Sequence, residues 1–157
     1  MEDLQWNVDT IAHVIDVAVA PVFLLAGISG LLMVLTNRLG RTIDRSRSLQ
    51  ATTNYSVLPE HKAVIEREMA SLLKRGRVIN LAINFATLSA LMVCVVIIAL
   101  FAGSLVKTNV AALVASLFIA SMVVLALAFS CFLIEVFIAS RTLRSSIVST
   151  ESFRKRE

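Results

Sequence analysis

Three ionisable side chains lie inside long apolar runs of this sequence, where a charge is costly. His13 and Asp16 fall in the first run, and Glu135 falls in the last. Ionisable groups in such surroundings are rare, and they occur in ion paths, proton relays and buried ion pairs. These residues are therefore the first candidates for chemistry. No metal-ligand spacing and no nucleophile with a base and an orienting acid accompanies them.

His13 and Asp16 are three residues apart and so share one face of a helix. Steps of three and four continue that face along the first run and into the polar sequence behind it. The face is acidic at its start, small and apolar in its middle and basic at its end: His13, Asp16, Ala20, Phe23, Gly27, Leu31, Val34, Asn37, Arg38 and Arg41. Repeated about a symmetry axis, it would form an acidic mouth, an apolar constriction and a basic vestibule. The alternative is that His13 and Asp16 lie shallow enough to meet interfacial water or a neighbouring donor.

Glu135 has candidate partners on the other two runs at the depth expected for it. These are Asn80 and Asn84, and Asn37, Arg38 and Arg41. A pair between Glu135 and an arginine, supported by asparagines, would clamp three helices together. The alternative is an ion or proton site at Glu135. A clamp should tolerate a charge-swapped double mutant better than such a site does.

The elements that must position these residues are membrane spans. Hydrophobic residues make up 57% of the 157 residues, and a span needs about 20 mostly apolar residues to cross roughly 30 Å of hydrocarbon. Three segments qualify, at about 11–36, 78–106 and 110–139. The sequence therefore predicts a single membrane domain over residues 1–157.

The distribution of charge predicts the orientation of these spans. Nine of the 15 Lys and Arg residues lie between Asn37 and Arg77, and the leader 1–10 carries three acidic and no basic residues. Because positive charge resists export, the basic stretch is expected in the cytoplasm. The N-terminus is then outside, and the basic tail 140–157 is cytoplasmic.

The basic stretch continues the helical pattern of the first run without a proline until Ala51–Pro59, which is rich in turn residues. Residues 37–77 are therefore predicted to form a cytoplasmic helical hairpin that extends the first two spans. Its mixed charges are most simply a solvated helical face. Alternatively, they form a surface for anionic lipid headgroups or for a protein. No aromatic-interleaved basic motif points to nucleic acid.

Four segments carry a resemblance to a known family: Ile11–Ile15, Ala20–Ile28, Leu35–Arg41 and Asp44–Arg47. They resemble a family of small bacterial membrane proteins catalogued as domain of unknown function number 2721, as do Asn80, Asn84 and Glu135 before Arg141. The resemblance implies a bacterial inner-membrane protein with three spans. It implies no activity and no catalytic residues.

The sequence therefore predicts an all-α membrane protein with three transmembrane helices, which forms a symmetric homo-oligomer. Its leading predicted function is an ion-conducting pore lined by the first span. The alternatives are a non-conducting scaffold or regulator that docks partners through the hairpin, and an ion- or proton-coupled transporter using Asp16 and Glu135. No enzyme activity, cofactor or metal is expected. The expected partners are copies of the same chain, anionic lipids and inorganic ions.

Overall fold

The computed structural model describes the backbone of residues 2–54, 59–106 and 110–154, and the side chains of residues 12–51, 65–104 and 110–140. Within them the chain forms three helices, α1 (Glu2–Asn54), α2 (Pro59–Val106) and α3 (Ala111–Arg154). The break predicted at 51–59 is confirmed, because α1 ends at Asn54 and α2 begins at Pro59. The turn predicted at residues 107–109 and the last three residues of the tail lie outside the described residues.

Each helix contains a segment long and apolar enough to cross a membrane. These segments fall within Ala12–Ala51, Ile65–Ser104 and Ala111–Ser140. The prediction of three apolar spans in an all-helical protein is thereby confirmed, and the chain is a multi-pass membrane protein. The helices continue beyond the apolar runs, since α1 extends about 18 residues past Thr36.

The chain packs as two compact units, and the first combines α1 up to Val34 with the segment Asn84–Leu127. Its buried residues are small or aliphatic: Ala18, Ile28 and Leu31 from α1, Ala86, Ser89, Val93 and Val96 from α2, and Ser121 and Leu125 from α3. The hydroxyl of Ser89 donates a hydrogen bond of 2.9 Å to the carbonyl oxygen of Ser121, and both residues are fully buried. Small side chains of this kind let membrane helices approach closely, and the hydroxyl ties α2 to α3.

The second unit combines Leu35–Ile83 with α3 from Ala128 onward. Aliphatic residues again form most of its interior, but polar groups join them. The buried set comprises Leu35, Thr42 and Leu49 from α1, Leu72, Ile79 and Ala82 from α2, and Ala128 and Glu135 from α3. The Thr42 hydroxyl donates to the carbonyl oxygen of Arg38 at 3.0 Å, so this polar side chain is satisfied by its own helix.

In every helix the buried positions recur at spacings of three, four or seven residues. In α2 the series is Leu72, Arg75, Ile79 and Ala82 in the second unit, and Ala86, Ser89, Val93 and Val96 in the first; all are buried except Arg75, which is half-buried. In α3, Ser121, Ala128 and Glu135 are each seven residues apart and fully buried. A seven-residue repeat keeps one seam of a helix against its neighbours, as in coiled coils. We call these positions the packing seam.

Gly103 marks the closest approach between the end of α2 and the start of α3 within the first unit. It is buried, and a Cβ atom placed on it would collide with the side chain of Val110. The carbonyl oxygen of Val110 accepts a hydrogen bond of 2.9 Å from the amide of Val114, which begins α3. Only glycine leaves room for this contact, because it has no Cβ.

Candidate functional site

Glu135 is the centre of an ion cluster in the second unit. The packing seam of α3 carries its side chain into the interior, where it is 0% exposed. Arg38 of α1 donates from Nη1 to Oε2, and Arg75 of α2 donates to Oε1 from Nη2 at 2.9 Å and from Nε at 3.3 Å. Both carboxylate oxygens therefore accept charge-assisted hydrogen bonds. We call these three residues the Glu135 clamp.

The seam also explains how the two arginines reach the carboxylate. Arg38 follows Leu35 by three residues, and Arg75 follows Leu72 by three, so each occupies a seam position on its own helix. Their side chains are 31% and 24% exposed, which leaves part of each guanidinium open. The guanidinium carbon of Arg38 also lies 5.2 Å from the ring centroid of Phe132, a cation–π contact that helps to fix its orientation.

The Glu135 clamp joins the three helices through ion pairs. One carboxylate faces two guanidinium groups, so the buried negative charge is fully compensated and each of the three helices contributes one member. A carboxylate removed from water is strongly unfavourable unless it is paired and hydrogen-bonded. An exchangeable ion or proton site would require a carboxylate oxygen open to that ion. The geometry therefore favours the clamp interpretation of Glu135.

The asparagines expected beside Glu135 lie elsewhere. Asn80 is exposed and lines a shallow groove with Ser46 and Leu73, and Asn84 and Asn37 are also exposed. Asn80 follows Arg75 by five residues, which turns it about 140° around α2 and away from the clamp. Among the described side chains, the hydrogen bonds to the carboxylate come from the two arginines instead.

Arg75 is the clamp residue that sequence reasoning missed. It had been assigned with the rest of residues 37–77 to a solvated hairpin face. The signal that could have found it is its spacing, because it lies three residues after Leu72 and four before Ile79 in an aliphatic series. A basic residue at a seam position requires an acidic partner at a seam position on another helix, and Glu135 is such a residue.

The face predicted along α1 divides into a central part and one edge. The central part is exposed, and at about 100° per residue its members lie within about 80° of one another around the helix. We call it the α1 strip: Asp16, Phe23, Gly27, Val34, Asn37 and Arg41. It retains the order expected for the full face, with an acidic residue first, apolar residues in the middle and a basic residue last.

The other four members of the predicted face lie at one edge of it. Leu31 is buried, and Arg38 is held by Glu135. His13 and Ala20 are exposed and border an open, mainly apolar cavity of about 760 Å³ in the first unit. All four lie about 60–80° around α1 from the middle of the strip, on the side of the packing seam.

A basic pocket adjoins the clamp in the second unit. It encloses about 250 Å³ and is lined by Arg38, Arg41, Thr42, Arg45, Leu72 and Arg75. Arg45 is paired with Glu68 by two hydrogen bonds, from Nε at 3.0 Å and from Nη2 at 2.8 Å. Four arginines thus line one small cavity.

A family model of proteins of unknown function, DUF2721, matches residues 18–145. The chain belongs to this family. In this DUF2721 protein the whole Glu135 clamp and the basic pocket lie inside the matched residues, whereas His13 and Asp16 precede them. No curated protein and no solved structure matched the chain.

Proposed function

We propose that this protein assembles as a symmetric homo-oligomer and conducts ions along a path lined by the α1 strip. The observation that carries the proposal is the exposure of a strip with an acidic residue, Asp16, at one end and a basic residue, Arg41, at the other. One copy has too few helices to enclose a path, so the strips of several copies must face a common axis. Rings of charged side chains at the mouths would then select ions.

The apolar middle of the strip would form the constriction. Phe23 is 74% exposed, so its ring is available to a symmetry axis. A Cβ placed on Gly27 or Gly30 would meet nothing within 4 Å in the protomer, so the backbone there is open to a second copy. Small residues at such positions allow close helix contacts within lipid. A narrow apolar ring can close a path by excluding water.

The Glu135 clamp supports this proposal indirectly. It fixes the interior side of α1 to α2 and α3 in the second unit and leaves the strip on the free side of the helix. A transporter that cycles an ion through Glu135 is less well supported, because both oxygens of that carboxylate are already bonded to arginines.

The proposed protein lies in the bacterial inner membrane with its N-terminus outside and its C-terminus in the cytoplasm. The excess of Lys and Arg between Asn37 and Arg77 supports this orientation, because such residues are retained on the cytoplasmic side. Residues 37–77 would then lie on the cytoplasmic side, where the leaflet carries anionic lipid.

The constriction is tested by replacing Phe23 with alanine. Removing its ring widens the apolar ring in every copy and weakens dewetting, so we expect the permeation barrier to fall by about 1.4 kcal/mol and the ion flux to rise about tenfold. The measurement is potassium and chloride flux into liposomes that contain the purified protein. Wild-type flux must exceed that of empty liposomes under the same gradient.

Phe137→Ala is the matched control, because Phe137 is 69% exposed on α3 and lies off the strip. It should leave flux at the wild-type level. Equal flux changes in both variants would remove the strip from the path. If the wild-type protein conducts none of several ions, conduction is overturned. The second candidate function is then favoured, a membrane scaffold or regulator that docks partners through the hairpin at residues 37–77.

Ion selectivity is tested by replacing Asp16 with asparagine. A carboxylate ring attracts cations, and the interaction of one charge pair in water is about 1 kcal/mol at 4 Å. We therefore expect the ratio of potassium to chloride permeability to fall about fivefold. The reversal potential in a salt gradient gives this ratio. Glu66→Gln removes another exposed carboxylate, one outside the strip, and should leave the ratio unchanged.

A further inference from the structure

The basic pocket contains more positive charge than its own carboxylates compensate. Its four arginines, Arg38, Arg41, Arg45 and Arg75, face two acidic partners among the described side chains. Glu135 pairs with Arg38 and Arg75, and Glu68 pairs with Arg45. The cavity therefore carries an excess of two positive charges.

Among the described side chains, Arg41 is the pocket arginine that forms no ion pair with a carboxylate. The hydrogen bond described for it runs from Nε to the carbonyl oxygen of Asn37 at 3.4 Å, one turn back on the same helix. An arginine has five N–H donors, and this contact occupies one. The remaining donors are available to a ligand, together with those that Arg38, Arg45 and Arg75 do not use in their ion pairs.

The geometry of the pocket selects the kind of ligand. Planar guanidinium groups bind the oxygens of phosphate through paired hydrogen bonds, which a cluster of four can supply from several directions. A cavity of about 250 Å³ is smaller than the roughly 300–1,000 Å³ of pockets for drug-sized ligands, so it fits one anionic group and not a large cofactor. The other two lining residues are Leu72, which is buried, and Thr42, whose hydroxyl donates a hydrogen bond to the carbonyl oxygen of Arg38.

We propose that this pocket is a binding site for a phosphate group, held by Arg41 together with the free donors of Arg38, Arg45 and Arg75. The phosphate belongs either to an anionic lipid or to a soluble phosphate compound. The site follows the apolar run 11–36 of α1, where a headgroup at the membrane surface can reach it. Arg41 also forms the basic end of the α1 strip, but the pocket is complete in one copy of the chain, so phosphate binding is measured separately from conduction.

The test measures binding to the full-length protein in neutral detergent micelles at fixed ionic strength. One arm titrates inorganic phosphate, and the other titrates short-chain phosphatidic acid against phosphatidylcholine of equal chain length. Arg41→Gln removes one guanidinium and leaves the ion pairs described for Arg38, Arg45 and Arg75 intact, so it should fold. Since a hydrogen bond to a charged group contributes at least about a tenfold change in affinity, we expect Arg41→Gln to weaken binding about tenfold.

Arg47→Gln is the matched control, because Arg47 is an exposed arginine on the same helix outside the pocket. Its affinity should remain within about twofold of wild type. If inorganic phosphate and phosphatidic acid both bind, the site is supported and its phosphate group comes from a soluble compound. If phosphatidic acid alone binds, the site is supported and its phosphate group comes from a lipid. Two results would overturn it: no preference for phosphatidic acid over phosphatidylcholine together with no phosphate binding, or an equal loss in the two variants.

Discussion

Replacement of Glu135 with glutamine is expected to lower the free energy of unfolding by about 3–5 kcal/mol, the usual cost of removing one partner from a buried ion pair. Glutamine keeps the shape of the side chain but leaves Arg38 and Arg75 facing each other without a counterion. Three helices lose their common attachment in a single substitution. Unfolding in mixed micelles, followed by circular dichroism, measures the change.

Two further variants separate the clamp from a general effect of charge. Arg77→Gln removes an exposed arginine of α2 two residues beyond Arg75 and should cost less than about 0.5 kcal/mol. Combined with Glu135→Gln, the substitution Arg75→Gln should cost less than the sum of the single effects, because it removes one of the two uncompensated charges. A Glu135→Gln variant as stable as Arg77→Gln would contradict the clamp.

Replacement of Gly103 with alanine is the second large expected effect. The new Cβ collides with the side chain of Val110, so this side chain or the backbone that carries it must shift. Overpacking of this kind costs about 1–3 kcal/mol, which outweighs the gain of roughly 0.5–1 kcal/mol that alanine gives in a helix. Thermal unfolding in detergent should show a lower midpoint for the variant.

The collision involves one side chain, so it can be reversed. In the Gly103→Ala and Val110→Ala double variant the atoms in collision are removed, and the nearest remaining atom, the Cβ of residue 110, lies 3.4 Å from the new Cβ. We expect the double variant to regain most of the lost stability. Gly76→Ala on the same helix meets nothing within 4 Å and should be neutral or stabilising. Equal losses at Gly76 and Gly103 would show that flexibility, and not the contact, is the cause.

The helices could be predicted from the sequence because their signals are local. Three apolar runs, a cluster of turn residues before Pro59 and the absence of proline between Thr36 and Pro59 indicate where the helices continue and where the first two are separated. The continuation of α1 past its apolar run followed from the same pattern. These features depend on neighbours along the chain, so no knowledge of packing was needed.

The site could be predicted only in part, because pairing depends on the phase of each helix. An arginine on α1 was expected beside Glu135, and Arg38 lies there. The charge of Arg75 indicates a solvated position, but its side chain pairs with Glu135. The spacing of Leu31 predicts a place on the pore face, but the residue is buried on the side of the packing seam. The seam becomes visible only when burial is known for all three helices.

The separation of the clamp residues along the chain has a consequence for biosynthesis. Arg38 and Arg75 precede Glu135 by 97 and 60 residues. At a synthesis rate of about 5–20 residues per second, both arginines leave the ribosome roughly 3–20 s before their counterion. During that interval the first two helices lack the charge that holds them to the third. Quality-control proteases therefore meet an incomplete molecule until translation passes Glu135, and a premature stop codon upstream of it yields a chain that is expected to be degraded.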